Sequence, residues 1–177
     1  TIFCLFRPLV TKFDWWLFQM EDPELKKSFL TSMRGIASTV NVISAISNGE
    51  RHAMTATSVN SLSIDPPSML VCINKEASIH KIINVNAPFC INVLSKNQKN
   101  LADVCSNNEE GESRFNSESW QENNGYVFVE NSLSNIFCEC TQSFEHTTHT
   151  IFIGKVARVN NNEALSPLIY GSGKYLD

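Results

Sequence analysis

Short apolar segments follow one another along this chain with too few residues between them for long crossover connections. Residues 69–74 (MLVCIN) and 89–94 (FCINVL) are typical of buried strands, and residues 135–140 and 148–159 also predict strands. Parallel neighbours need a crossover of about a dozen or more residues, usually a helix. The spacing therefore predicts a mainly β protein, a mostly antiparallel barrel with a few short helices.

Local signals set the order of the first elements. Asp22-Pro23-Glu24 predicts a helix start, with Asp22 as N-cap and apolar residues then recurring at helical spacing to about Ala37. Asn48-Gly49 predicts a hairpin turn between two strands. The segment 60–68 contains two prolines and cannot be a central strand.

Capping residues and apolar periodicity predict the elements of the later segments. Ser78 predicts the start of a short helix, and the apolar spacing in 98–105 predicts another. Residues 106–125 are polar and predict a loop with short turns. We divide the chain into an apolar arm, residues 1–21, and one domain, residues 22–177, which is long enough to bury a sizeable core.

Charge and cysteine content exclude some classes of protein. The 14 basic and 18 acidic residues give a net charge of −4, which disfavours nucleic acid as a partner. Arg7, Lys12 and Asp14 interrupt the apolar residues 1–20, so no membrane span is predicted, and without a small-residue cleavage site this stretch does not predict a signal peptide. The six cysteines lie mostly in apolar runs, and this favours free thiols and a cytoplasmic location.

Two arrangements of reactive side chains lack the features that a metal site or a catalytic thiol needs. Cys138 and Cys140 precede His146 and His149, but structural zinc sites use longer cysteine spacing. Two histidines three residues apart on one strand would also point to opposite faces. Cys105 lacks the electropositive setting of a nucleophile. We therefore expect neither a metal site nor a catalytic thiol.

Nucleotide binding by a glycine loop has no support either. The chain contains no G-x-G-x-x-G motif and no P-loop, and Gly171-Ser172-Gly173-Lys174 is too short to be one. The block 53–81 is a better candidate because it is dense in small hydroxyl and amide side chains. A helix start at Ser78, with Lys75 and Lys81 nearby, could hold a phosphate. The alternative is an ordinary loop and N-cap.

Five segments together resemble the flavin reductase family with the FMN-binding split-barrel fold. They are residues 33–45, 53–74, 78–95, 148–156 and 167–175, and the resemblance covers roughly residues 30–177. It is closest to the reductase components of two-component aromatic hydroxylases, such as 4-hydroxyphenylacetate monooxygenase. The implied fold is a six-stranded antiparallel split β-barrel with Greek-key character and a few short flanking helices.

The resemblance also implies an activity and partners. It implies an NAD(P)H:flavin oxidoreductase that reduces FMN or FAD with NADH or NADPH and supplies the reduced flavin to a partner monooxygenase. A homodimer is implied as well. Alternatives on the same fold are an oxidase that keeps FMN tightly bound and a non-catalytic flavin- or haem-binding protein.

The resemblance assigns site residues by position. His149 would orient the nicotinamide and is the one catalytic candidate. In many relatives glycine stands at the position that Thr147 occupies here. The implied flavin-binding residues are Thr55, Ala56, Thr57, Ser58, Ser61, Asn74, Ser78, Ile79, Lys81, Tyr170 and Tyr175.

Overall fold

The computed structural model describes residues 22–116 and 120–176. Two α-helices are present there, α1 (Pro23–Arg34) and α2 (Lys99–Ser106), with 3₁₀ helices at Ser78–Lys81, Lys96–Gln98 and Asn108–Asn116. The strands are β1 (Ser38–Thr39), β2 (Asn41–Ser47), β3 (Glu50–Ala56), β4 (Val59–Ile64), β5 (Pro67–Asn74), β6 (Pro88–Val93), β7 (Trp120–Asn123), β8 (Tyr126–Val129), β9 (Ser134–His146), β10 (His149–Asn161), β11 (Ile169–Gly171) and β12 (Lys174–Leu176).

All strand pairs are antiparallel, as the short connections predict. Seven strands form the main sheet in the order β3-β2-β6-β9-β10-β5-β4. A second sheet joins β1, β11 and β12, and β7 pairs with β8. The main sheet of the described residues has seven strands, so the expected count of six is not confirmed.

Two apolar clusters occupy opposite faces of the main sheet. The inner cluster contains Ile43 of β2, Ala56 of β3, Val71 of β5 and Phe152 of β10. Strands near both ends of the sheet contribute to this cluster, so the sheet curls around it. The outer cluster packs Val42 of β2 against α2 and β8. Adjacent residues of β2 therefore lie in different cores, as the two-residue period of a strand requires.

Most of the local sequence signals of the first half are confirmed. Asp22 caps α1, and its carboxylate accepts hydrogen bonds from the backbone N–H groups of Glu24 and Leu25. Asn48 and Gly49 both have positive φ and form the turn between β2 and β3. Residues 60–64 of the segment with two prolines lie in β4, which is an edge strand, whereas Pro67 and Ser68 begin β5, an inner strand, so the expectation holds only for the first part of this segment.

The polar segment after α2 contains more regular structure than predicted. Trp120–Asn123 and Tyr126–Val129 form a hairpin around Asn124-Gly125, where both residues have positive φ. The outer cluster buries Val127 and Val129 of this hairpin, with Trp120 packed against it. The expectation of a loop was wrong for residues 120–123 because this strand is short and mostly polar, so it carries little apolar periodicity.

Among the described residues no helix has the length and apolar character needed to cross a membrane. Contacts divide the chain into two compact units, with the boundary between Ile36 and Ala37. In the first unit, α1 buries none of its side chains.

The described cysteines are free, and four of the five are buried: Cys90, Cys105, Cys138 and Cys140. Cys4 lies outside the described residues. Burial raises the pKa of Cys105 and of Cys138 to about 12, and it also raises that of Cys90. Thiolate is the reactive form of cysteine, so these thiols should be inert near neutral pH.

We expect Cys90, Cys105 and Cys138 to resist a thiol reagent at pH 8 in the native protein and to react fully in denaturant. The partly exposed Cys72 should react first among the described cysteines. Mass spectrometry after timed labelling would measure this order. Rapid native labelling of Cys105 would contradict the burial seen here.

Candidate functional site

A cavity of about 940 Å³ lies where the end of β3 meets α2 and the β11–β12 hairpin. Five of the predicted flavin-binding residues line it: Thr55, Ala56, Thr57, Tyr170 and Tyr175. The volume lies near the upper end of the usual range for ligand pockets. The structure therefore brings the first and last predicted segments of the site together around one space.

The end of β3 is fixed by a bond to α2. The Thr55 hydroxyl donates to the Ala102 carbonyl at 2.6 Å, so it holds α2 against the strand. Ala56 is buried and belongs to the inner cluster, whereas Thr57 is exposed at the strand end. Of these three residues, Thr57 thus has the exposed hydroxyl at the cavity.

Helix α2 contributes polar residues that the sequence did not assign to the site. Its apolar side chains, Leu101, Ala102 and Cys105, are buried, as the periodicity predicts. Lys99, Asp103 and Ser106 are exposed and line the cavity. The signal that could have found them is the polar side of the same helical period.

The opposite wall is the β11–β12 hairpin. Tyr170 and Tyr175 are cross-strand partners, and their rings meet edge to face with centroids 5.5 Å apart. The Tyr175 hydroxyl donates to an Asp103 carboxylate oxygen at 2.6 Å. Burial, and next this hydrogen bond, raise the pKa of Tyr175, which therefore stays protonated as a donor.

A second group of predicted residues lies around the end of β5. Asn74 and His149 are cross-strand partners on β5 and β10. The 3₁₀ helix that starts at Ser78 follows directly, and Ser78 is exposed. Ile79 is fully buried in the inner cluster, so only its backbone could contact a ligand.

Ser78 lines a second cavity, of about 440 Å³, together with Arg51, His52 and Arg114. Glu50 and Glu112 line it as well, and Arg51 pairs with Glu112. The Nε2 atom of His52 is buried and has no hydrogen-bond partner within the described structure. Ser78 thus faces a space with several cationic or protonatable groups.

The remaining predicted residues lie apart from both cavities. Ser58 and Ser61 are exposed around the start of β4, where the Ser58 carbonyl accepts from Cys72 N–H and Ser61 pairs with Met69. Lys81 is exposed at the end of its 3₁₀ helix. Lys75 pairs with Glu145 at 2.7 Å, and the hydrogen bond from this lysine lowers the pKa of the Glu145 carboxyl.

The two histidines near the β9–β10 turn are arranged differently from the sequence expectation. His146 and His149 are direct cross-strand partners and share one side of the hairpin. The expectation of opposite faces was wrong because a turn at Thr147-Thr148 separates them onto two strands. Cys138 and Cys140 are buried elsewhere, and the described residues contain no metal-binding group of three ligands.

Thr147 adopts φ +44°, a conformation that disfavours a β-branched residue. We expect Thr147→Gly to stabilise the protein by about 1 kcal/mol, because positive φ at such residues costs roughly 1–3 kcal/mol. Thermal unfolding should show a rise in Tm of about 2–4 °C. Ser143→Gly, in the regular part of the same hairpin opposite Phe152, should instead lower Tm. A lower Tm for Thr147→Gly would contradict strain at this turn.

The comparisons with known proteins give the family. Residues 33–177 match the family model described as "Flavin reductase like domain". The reductase component of FADH(2)-dependent resorcinol hydroxylase from Rhizobium sp. (strain MTP-10005) is 36% identical over 152 residues, covering 84% of this chain and 85% of the relative. The FMN reductase (NADH) RutF of Pseudomonas syringae pv. syringae is 29% identical, covering 84% of each.

The solved structure of a flavin reductase has a similar fold. The flavin reductase PheA2 in its native state superposes with a TM-score of 0.75 and 29% identity, covering 88% of this chain and 97% of that one. The match includes both groups of site residues, since the family model spans almost all of the described chain beyond α1. This chain belongs to the flavin reductase-like family.

Proposed function

We propose that this protein is an NADH-dependent flavin reductase, which transfers hydride from reduced nicotinamide to FMN or FAD and supplies reduced flavin to a partner monooxygenase. The observation that carries the proposal is the cavity of about 940 Å³, where Thr57, Tyr170 and Tyr175 meet in a chain of this family. The names of the relatives, an FMN reductase (NADH) and the reductase component of a hydroxylase, support the donor and the oxygenase partner.

The cavity residues fit a flavin chemically. Two tyrosine rings and the partly buried Met54 offer flat and apolar surface for a tricyclic ring. Thr57, Ser106 and the backbone at the end of β3 offer hydrogen-bond partners, and Lys99 and Lys174 offer positive charge. A planar, polar and anionic ligand needs these three kinds of contact.

The work of the protein in this reaction is to bind and orient. When bound, the flavin accepts a hydride from nicotinamide, which is the chemistry of the two cofactors. The residues of this chain hold two rings in contact and exclude water, so no catalytic carboxylate pair or triad is required. His149 is exposed, with Nδ1 2.9 Å from the Thr148 hydroxyl, which can fix the direction of its ring.

The first experiment is NADH oxidation by the purified protein with and without added FMN or FAD. Turnover that rises and saturates with added flavin would support the proposal, and a partner oxygenase would then be tested with the reduced flavin formed. NADPH in place of NADH tests the choice of donor. If the rate of NADH oxidation does not change with added flavin, the protein holds a tightly bound flavin. If the protein binds flavin but does not oxidise NADH, the reductase function is overturned.

His149→Ala should slow NADH-dependent flavin reduction about tenfold, while flavin affinity changes by less than about threefold. The expected loss corresponds to roughly one hydrogen bond to the nicotinamide. Stopped-flow reduction and flavin fluorescence titration measure the two quantities. His146→Ala removes the cross-strand partner of His149 and is the control, for which we expect no change in the reduction rate. A larger loss in flavin affinity than in rate would make His149 a flavin contact.

The assembly is proposed as a homodimer. Helix α1 exposes four large apolar side chains by 44–67%: Leu25, Phe29, Leu30 and Met33. An exposed apolar surface of this kind is typical of an interface between subunits. Light scattering coupled to size exclusion would measure the mass, and a monomer at micromolar concentration would contradict this assembly.

Three finer points complete the proposal. The shared inner cluster of β3 and β5 supports a curled sheet that corresponds to the family's six-stranded split barrel with Greek-key character. Residues 22–177 would form the domain and residues 1–21, which lie outside the described residues, an apolar arm. The free buried cysteines support a reducing compartment, and we propose the cytoplasm.

A further inference from the structure

The β11–β12 hairpin is short, and it stands outside the seven-stranded sheet. Each of its strands has three residues, and its sheet is completed by the two residues of β1. Ser38 pairs with Tyr170 on the β11 side. On the β12 side, Tyr175 reaches α2 through its hydroxyl. The hairpin is anchored by Leu168, which is buried directly before β11 and hydrogen-bonded to Val40 and Leu94. The contacts of Tyr175 then set the orientation of the aromatic wall of the main cavity.

Helix α2 holds Tyr175 from two positions one helical turn apart. The Asp103 carboxylate accepts from the Tyr175 hydroxyl at 2.6 Å, and Lys99 Nζ lies 5.2 Å from the centroid of the ring. Residues four apart lie on the same side of a helix, so both contacts come from one face of α2. A short bond from a hydroxyl to a carboxylate is among the stronger hydrogen bonds in proteins.

Tyr175, held by α2, in turn contacts the ring of Tyr170. The two rings meet edge to face at an interplanar angle of 77°. Tyr170 remains 38% exposed and lines the cavity, so its ring is available to a ligand. If Tyr175 turned away from Asp103, Tyr170 would lose the ring that fixes its orientation.

We propose that Asp103 is a positioning residue which, through Tyr175, fixes Tyr170 as an aromatic wall for the planar ring of the flavin. This inference rests on the proposed function. It assigns a role to a residue on α2 that need not touch the ligand, and it makes α2 and the C-terminal hairpin one unit in flavin binding.

The test compares Tyr175→Phe, Asp103→Ala, Asp103→Asn and the double variant Asp103→Ala/Tyr175→Phe. Flavin fluorescence titration gives the Kd for FMN and FAD, and steady-state NADH oxidation gives KM and kcat. Losing the charge-assisted bond should weaken flavin binding about tenfold in Tyr175→Phe and in Asp103→Ala. The flavin Kd of the double variant should be no higher than that of the single variant with the lower affinity, because the two substitutions remove the same contact.

Asp103→Asn is the conservative variant. Its amide oxygen can still accept from the Tyr175 hydroxyl, so its flavin Kd should stay within about threefold of the wild type. A purely electrostatic role of the carboxylate would instead make Asn as harmful as Ala. Tyr126→Phe is the matched control, since it removes a tyrosine hydroxyl that lies outside the cavity, where the ring packs on Phe137.

The outcomes separate this inference from the proposed function. Wild-type turnover with unchanged flavin Kd in Tyr175→Phe and Asp103→Ala would overturn the positioning role and leave the reductase intact. Additive losses in the double variant, or an Asn variant as weak as Ala, would also overturn it. If the wild type binds flavin but does not oxidise NADH, the reductase function is overturned. The flavin Kd values of the variants would still decide the role of Asp103. A wild type that binds no flavin would overturn both.

Discussion

Gly154→Ala should destabilise the protein by about 3 kcal/mol, at the upper end of the usual cost of overpacking a core. A Cβ at this position would lie 2.5 Å from Phe89 Cζ and 2.8 Å from the Cβ of Cys138. Phe89 and Cys138 are fully buried, so neither can move aside into solvent. Thermal unfolding should show a fall in Tm of about 6–12 °C.

A second variant identifies the clash as the cause. Leucine at position 89 lacks the ring edge that a new methyl group would meet, so Phe89→Leu/Gly154→Ala should lose less than the sum of its single variants. The rescue should be partial, because the Cys138 Cβ stays in place. Additive losses would show that Gly154 is needed for another reason than space beside Phe89.

Ser78→Asp should weaken flavin binding about tenfold to a hundredfold, which corresponds to about 1.4–2.8 kcal/mol. The reason is charge, since the new carboxylate would lie at the start of the 3₁₀ helix where we expect the flavin phosphate. Arg51 already pairs with Glu112 in the cavity that Ser78 lines, so a new carboxylate would compete with the phosphate for the cationic groups there. Fluorescence titration with FMN measures the effect.

The controls separate charge from the loss of a hydroxyl. Ser78→Ala should cost less than about tenfold, because it removes one hydrogen bond and adds no repulsion. Ser166→Asp, on an exposed loop that lines neither cavity, carries the same change in charge and should bind FMN like the wild type. Unchanged FMN affinity in Ser78→Asp would remove Ser78 from the phosphate site.

The fold was predictable where the signal is local. Asn48-Gly49 and Asp22-Pro23 act within a few residues, and both predictions are confirmed. The same Asn-Gly signal is present at Asn124-Gly125, but each strand beside it has only four residues, and Trp120–Asn123 is mostly polar, so periodicity did not predict this hairpin. The number of strands in the main sheet depends on long-range pairing, which no local pattern encodes.

The site was predictable only in part, for a related reason. Thr57 and Tyr170 came from the resemblance to a family, and they do line one cavity. Asp103 was missed because helical periodicity marks the buried side of α2 and says nothing of what its polar side faces. That depends on contacts distant in sequence, such as the bond of Thr55 to Ala102 and that of Tyr175 to Asp103.

The wide separation in sequence of the cavity walls has a consequence for biosynthesis. Translation delivers the chain from its N-terminus at about 5–20 residues per second, so Thr57 leaves the ribosome several seconds before Tyr175. The nascent chain can pair β2 with β3 early, but it has no aromatic wall until the last hairpin emerges. The cavity is therefore complete only after this hairpin has been made, so a flavin bound there cannot assist the earlier pairing of β2 with β3.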